Sequence, residues 1–378
     1  MMPIHSFDQA PMVVIWEITR ACALACQHCR ADAQTRRHPL ELTFEEGCRI
    51  MDQVKELGSP IFVLTGGDPF LRKDFNELVR YGTSIGLRVS SSPSGTKLAT
   101  REAMQQAADA GLRRVQFSLD GATPESHDAF RGVKGSFQWT MDGLRFAREA
   151  GMEVQIGTTV SRHSLHELKE IAKIVEENEC SLWSLFFLIP VGRGQTEAMI
   201  SPSEGEEVLE WLHSLIGTVP YAIKTTEAPF FRRVVAQKGG KMQMPLMAAS
   251  GGAPHPAFAG KSLASPAPGL AMPGQIASFG INDGKGFVFI DHLGEVHPSG
   301  FLPVSAGNIR DQDLGTIYRE SPLFRSLRDA NQLKGKCGAC EFRELCGGSR
   351  ARAYGMTGDY LESDPSCVYI PAALRGAN

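Results

Sequence analysis

The chain has 378 residues, 42% of them hydrophobic and 21% charged, with a formal net charge of −3. That is the make-up of an ordinary globular protein with room for one large domain and a smaller one, and a near-neutral charge without a basic stripe excludes nucleic acid as the main partner. No apolar run nears the roughly 18–20 residues that span a bilayer, and MMPIHSFDQA lacks the basic and apolar regions of a secretion signal, so a cytoplasmic location with reduced thiols is expected.

In chain order, short apolar runs alternate with helical patterns. Strands are predicted at 12–16, 61–64, 87–90, 114–119, 153–159 and 181–189. Between the first two, LTFEEGCRIMDQVKELG opens with Thr43 and Glu46 spaced as a capping box, and SFQWTMDGLRFAREAG ends its helical pattern at Gly151. Such alternation implies βαβ units and a parallel sheet, whose ligands collect beyond the carboxyl ends of the strands. A helix (SEGEEVLEWLHSLIG) and a strand (YAIKTTEAP) follow, then a Gly/Ala/Pro/Ser-rich stretch over 239–274 that reads as a long loop. GFVFIDHLGEVHPSG reads as a hairpin turning at His292–Gly294, and 330–378 is dense in Cys, Gly and Arg.

The nine cysteines fall in groups. Cys22, Cys26 and Cys29 follow the first strand with the spacing C-x3-C-x2-C; Cys337, Cys340, Cys346 and Cys367 lie near the end; Cys48 and Cys180 stand alone and read as small core residues. Three thiolates hold three irons of a 4Fe–4S cube and leave the fourth iron open, as a catalytic site requires. A zinc site that borrows a distant ligand is the alternative, with His28 badly placed to reach it.

This loop resembles that of the radical S-adenosylmethionine (SAM) superfamily, where SAM chelates the open iron and is cleaved by one electron to a 5′-deoxyadenosyl radical that abstracts hydrogen from a substrate. Further motifs carry the resemblance, each just after a strand. In LTGGDP, Gly66, Gly67 and Asp68 resemble the family's GGEP turn, which receives the SAM ammonium, with Asp in place of Glu. SSPSG places Ser94 where Asn is common. In FSLDGATPESHDAFRG, Ser118 and Asp120 match contacts to the ribose and methionine parts of SAM, and Arg131 is matched to the SAM carboxylate, an ordinary salt bridge being the alternative. Thr158 and Thr159 end the fifth strand, and FLIPVGRG the sixth, where the family packs adenine. The resemblance implies an α/β fold: a partial (βα)6 TIM-like barrel over 1–200, a bridging part over 201–275, and a small Cys-rich C-terminal domain of the SPASM type over 276–378.

SPASM extensions carry seven cysteines and two auxiliary clusters. Here Arg350 and Ser299 stand where two of those cysteines are expected, so the resemblance implies one auxiliary 4Fe–4S cluster, closed by Cys337, Cys340, Cys346 and Cys367 and suited to passing electrons; zinc on the same four is the alternative. SLDGATPESHDAFRGVKGSF and FFLIPVGRG look most like radical SAM enzymes acting on tetrapyrrole propionates, which make haem by an alternative route or the modified haem of nitrite reductase. SPASM peptide maturases share these phrases, but a barrel starting near residue 12 leaves no room for the N-terminal peptide-recognition domain many of them carry. Glu227 and Arg232, in KTTEAPFFRR, are the candidate substrate groups, a core strand being the alternative. His255 and the Met242, Met244 and Met247 cluster sit in the long loop, where loop packing is the reading and methionines lining an apolar pocket or ligating haem iron the alternative. His292 and His297 read as solvated hairpin residues. The family implies a reduced flavodoxin or ferredoxin as electron donor. A non-catalytic iron–sulfur electron carrier is the reading of another class, and a full set of SAM-contacting motifs argues against it.

Overall fold

The computed structural model describes residues 7–58, 60–239 and 280–375. Ten strands form one sheet: β1 (Val13–Glu17), β2 (Ile61–Thr65), β3 (Arg88–Ser91), β4 (Arg114–Ser118), β5 (Glu153–Val160), β6 (Leu182–Phe187), β7 (Ala222–Thr226), β8 (Phe287–Ile290), β9 (Glu295–His297) and β10 (Gly307–Asn308). Their order is β10-β9-β8-β1-β2-β3-β4-β5-β6-β7. From β8 through β7 every neighbouring pair is parallel, and β8–β9–β10 is an antiparallel meander.

The expected six-stranded parallel unit is present and is longer than the sequence suggested. The strand at 222–226 pairs with β6, Leu182 opposite Ala222, after a crossover helix at Pro202–Ser214 that repeats the earlier βα rhythm. The hairpin's first strand lies along β1, Val13 opposite Phe287. The meander and the helices Leu314–Glu320, Pro322–Arg328 and Arg350–Thr357 therefore grow from the same sheet as the barrel.

Period-2 alternation sorts each strand's side chains between two environments. Trp16, Phe62, Leu64, Phe117, Trp183 and Ile223 are fully buried on the side that meets the helices. The helix Phe44–Glu56 shows how they are covered. Its capping box closes as expected, Glu46 N donating to Thr43 Oγ1 at 3.2 Å and Thr43 N to Glu46 Oε2 at 2.7 Å, an arrangement worth about 1 kcal/mol. One stripe, Gly47, Ile50, Met51 and Val54, then lies buried against the sheet. Alternate residues, Glu17, Gln116, Ser118, Thr159, Phe186 and Lys224 among them, face the concave side. Cys48 is half-buried within the helix Phe44–Glu56, and Cys180 is buried in the connection from the helix Leu168–Glu177 to β6. Among the described residues no helix is long and apolar enough to cross a membrane.

Candidate active site

β1 ends at Glu17 and the chain enters the loop that carries Cys22, Cys26 and Cys29. Three neighbours lace this loop down. Gly67 N donates to Thr19 O at 2.7 Å and Asp68 N to Ala21 O at 2.6 Å; Ala25 N donates to Arg131 O and Gln27 N to Phe130 O, both at 3.1 Å; Arg193 N donates to Cys29 O at 3.0 Å. The glycine pair after β2 is required by this contact, because a Cβ on Gly66 would stand 2.5 Å from Thr19 O and one on Gly67 2.3 Å from Ala21 O.

All three sulfurs have polar neighbours. Leu24 N donates to Cys22 Sγ at 3.3 Å, Ala33 N to Cys29 Sγ at 3.4 Å and Arg131 Nη1 to Cys26 Sγ at 3.6 Å, while the Cys22 thiol reaches Ser94 Oγ at 3.7 Å. Burial pushes the Cys22 thiol up to about 11, a cost that bound iron reverses by taking the thiolate. Amides and a guanidinium aimed at sulfur are the donor set a thiolate-held cluster needs, so these residues fit the expected group.

The other expected residues gather around the loop. Asp68 is buried and caps the turn Pro69–Leu71, its oxygens accepting from Phe70 N at 3.2 Å and Thr96 Oγ1 at 2.7 Å. Ser94 Oγ donates to Gly67 O. Ser118 lies in one layer with Gly157 and Ser184. Arg131, matched in the sequence to the SAM carboxylate, has a protein partner: it is ion-paired with Asp120, whose other oxygen accepts from Thr159 N at 2.6 Å. Burial alone would raise the Asp120 carboxyl, but the Arg131 guanidinium beside it holds it below the usual carboxylate range. Thr158 turns its side chain into the wall, donating to Leu119 O at 2.8 Å and accepting from Trp183 Nε1 at 2.9 Å; its neighbour Thr159 faces the concave side.

Behind this pair His127 is buried and its Nδ1 accepts from Asp120 N at 3.1 Å, so the folded protein requires a neutral ring. Burial lowers its pKa to about 4. A histidine depressed in this way contributes its full stability above about 6.5, its unfolded value, and loses it as the pH falls toward 4, by about 1.4 kcal/mol per unit. Urea unfolding of the apoprotein at pH 7 and pH 5 is expected to show wild type losing more stability than His127→Gln; equal losses would refute this account.

Several site residues had no local sequence signal. Glu17 is fully buried, with Arg30 Nη2 at 3.0 Å and His292 Nδ1 at 3.3 Å. Burial pushes its carboxyl up, but Arg30 and His292 together hold it at about 2. His292 is therefore not the solvated hairpin residue expected, because the turn folds back onto the end of β1. His297 is half-buried, Nδ1 lying 3.2 Å from Val304 O. His28 stacks on Phe130 at 4.3 Å, and Phe130 on His163 at 4.6 Å.

The second cysteine group forms one cavity, whose lining includes Cys337, Cys340, Cys346 and Cys367. Asp364 N donates to Cys337 Sγ at 3.4 Å and Arg350 Nη2 reaches the same sulfur at 3.6 Å. Arg350 thus occupies a position where a ligand was expected and braces the remaining site, donating also to Tyr360 O at 2.9 Å and Glu362 O at 2.7 Å. Ser299 accepts from Phe301 N at 3.2 Å. Four thiols on one cavity, with donors to sulfur, fit a group closed by four thiolates. Glu227 and Arg232 lie at the seam between this unit and β7. Ser349 Oγ donates to Glu227 Oε2 at 2.5 Å and Arg352 Nη2 to Glu227 O at 2.7 Å, while Arg232 donates to Pro229 O, Ile281 O and Cys346 O at 3.0–3.2 Å. Met242, Met244, Met247 and His255 lie outside the described residues.

Comparison with known proteins agrees with this geometry. The family described as "Radical SAM superfamily" matches residues 16–175. The AdoMet-dependent heme synthase of Oleidesulfovibrio alaskensis is 38% identical, covering 100% of this chain and 92% of that one. The mycofactocin maturase MftC of Mycobacterium ulcerans is 31% identical, covering 96% of this chain and 89% of that one. The fold matches crystalline SuiB of Streptococcus suis with a TM-score of 0.70 at 15% identity, over 96% of this chain and 78% of that one. With the three-cysteine loop, the glycine turn and the Cys-rich C-terminal unit all in place, the chain belongs to the radical SAM superfamily of enzymes, in its SPASM-type subgroup.

Proposed function

We propose that this enzyme acts in haem synthesis, abstracting hydrogen from a propionate side chain of a tetrapyrrole. The observation that carries the reading is the 38% identity, over the whole chain, with an enzyme named AdoMet-dependent heme synthase. The concave side of the sheet supports it, since Arg30 lies 4.4 Å over the Phe289 ring and Phe186 lies beside Phe301 at 6.4 Å, a combination suited to a flat, carboxylate-bearing molecule.

Cys22, Cys26 and Cys29 are the residues to hold the 4Fe–4S cluster, which with SAM supplies a carbon radical when both are bound. Gly66, Gly67, Asp68, Ser94, Ser118, Asp120 and Arg131 border the space in which SAM is to lie. Asp120 and Arg131 orient the cysteine loop, and the packed turns around it exclude water. Cys337, Cys340, Cys346 and Cys367 are to hold one auxiliary 4Fe–4S cluster, and a reduced flavodoxin or ferredoxin is to supply the electron. Peptide maturation is the second reading, favoured by the 31% identity with MftC.

Anaerobic reconstitution with SAM and dithionite decides between them. Release of 5′-deoxyadenosine is expected to rise at least about tenfold when iron coproporphyrin III is added, about 1.4 kcal/mol in barrier terms. Release unaffected by the porphyrin would overturn the tetrapyrrole reading and turn the search to peptides.

A further inference from the structure

On β7 alternate side chains face opposite ways. Ile223 is fully buried on the helix side, opposite Trp183, so Lys224 and Thr226 face the concave side of the sheet. The register carries Lys224 across to Ser184, then to Gly157 and Ser118, so it stands in the same layer as an expected SAM-contacting residue. One layer on, Thr226 lies opposite Phe186 and Phe186 opposite Thr159.

Among the described residues Lys224 has no carboxylate of its own. Among the described residues its ammonium makes no hydrogen bond and no ion pair, and burial alone lowers its pKa, with no neighbouring charge to oppose the shift. As a residue it is half-buried. The hydroxyl of Thr226, two residues on and on the same face, likewise has no partner among the described residues. The acids on this side are taken elsewhere: Glu17 by Arg30 and His292, Glu153 by Arg114 and Ser181. An ammonium drawn out of water with no counter-ion is costly, and an arriving anion removes that cost.

We propose that Lys224 binds a carboxylate of the substrate on the concave face of β7, beside Phe186 and Phe301, which flank the ring that carries it. This rests on the tetrapyrrole reading and adds to it the residue that anchors a propionate. A carboxylate also belongs to SAM, and the test separates the two sources.

The cluster-loaded protein is titrated with iron coproporphyrin III, with its tetramethyl ester and with SAM. Wild type is expected to bind the acid about 10- to 100-fold more tightly than the ester, the worth of a charge-assisted hydrogen bond. Lys224→Met is expected to lose that preference and Lys224→Arg to keep most of it. Because the acid-to-ester ratio is read within one protein, a partly unfolded variant does not imitate the effect; should Lys224→Met fail to load iron, Lys224→Gln takes its place. An unchanged ratio in the variant overturns the inference and leaves the tetrapyrrole reading standing. Weakened SAM binding with an unchanged ratio assigns the lysine to the cosubstrate and overturns it too. Failure of wild type to bind either porphyrin overturns both.

Discussion

Asp120→Ala is expected to abolish SAM cleavage and to destabilise the barrel by about 3–5 kcal/mol, the usual cost of removing one partner of a buried ion pair. The carboxylate is fully buried between the Arg131 guanidinium and the Thr159 amide, and Arg131 reaches on to Cys26 Sγ at 3.6 Å. Without it a buried cation is left with a sulfur atom as its remaining side-chain contact, and the end of the helix Pro124–Arg131, which receives Ala25 N, loses its anchor. Release of 5′-deoxyadenosine measures the first effect and urea unfolding the second. A companion, Asp120→Ala with Arg131→Met, removes both charges and is expected to recover most of the stability but none of the cleavage. Should the double variant cleave SAM normally, the pair is scaffolding only.

Asp364→Ala is expected to have a comparable effect in the C-terminal unit. Asp364 is fully buried, accepts from Ser349 N at 2.8 Å and Ser366 N at 3.0 Å, and faces Arg352 Nη1 at 3.0 Å, while its own amide donates to Cys337 Sγ. One side chain thus fixes the start of the helix Arg350–Thr357, a buried guanidinium and the turn leading to Cys367, whose amide donates to Asp364 O at 3.2 Å. Loss of the carboxylate leaves Arg352 uncompensated, again costing about 3–5 kcal/mol. Iron per chain is expected to fall by roughly half, because the four-cysteine site empties while the three-cysteine site stays loaded. Full iron content in the variant would contradict this assignment.

Features that reside in short segments were legible from the sequence. The capping box at Thr43 and Glu46, the βα rhythm and the three-cysteine loop each occupy one window, and each is found where expected. Pairings between distant segments were not. Glu17 meets Arg30 and His292, residues far apart in the chain, so nothing near His292 marks it as buried. YAIKTTEAP reads as a strand, but its place beside β6 depends on the crossover helix before it. Arg131 sits within a motif that the family matches to SAM, and its partner Asp120 is in the same stretch; the bond between them needs the helix Pro124–Arg131 to turn back over the end of β4.

The place of β1 has a consequence for how the protein is made. β1 is hydrogen-bonded on one side to β2 and on the other to β8, and these neighbours begin at Ile61 and Phe287. On a ribosome adding about 5–20 residues per second, β1 has its first neighbour within seconds but waits roughly 10–50 s for its second. Throughout that interval one edge of the central strand presents bare amides and carbonyls, an invitation to another nascent chain. Yield should therefore depend on translation speed and on holding chaperones more than on the stability of the finished sheet.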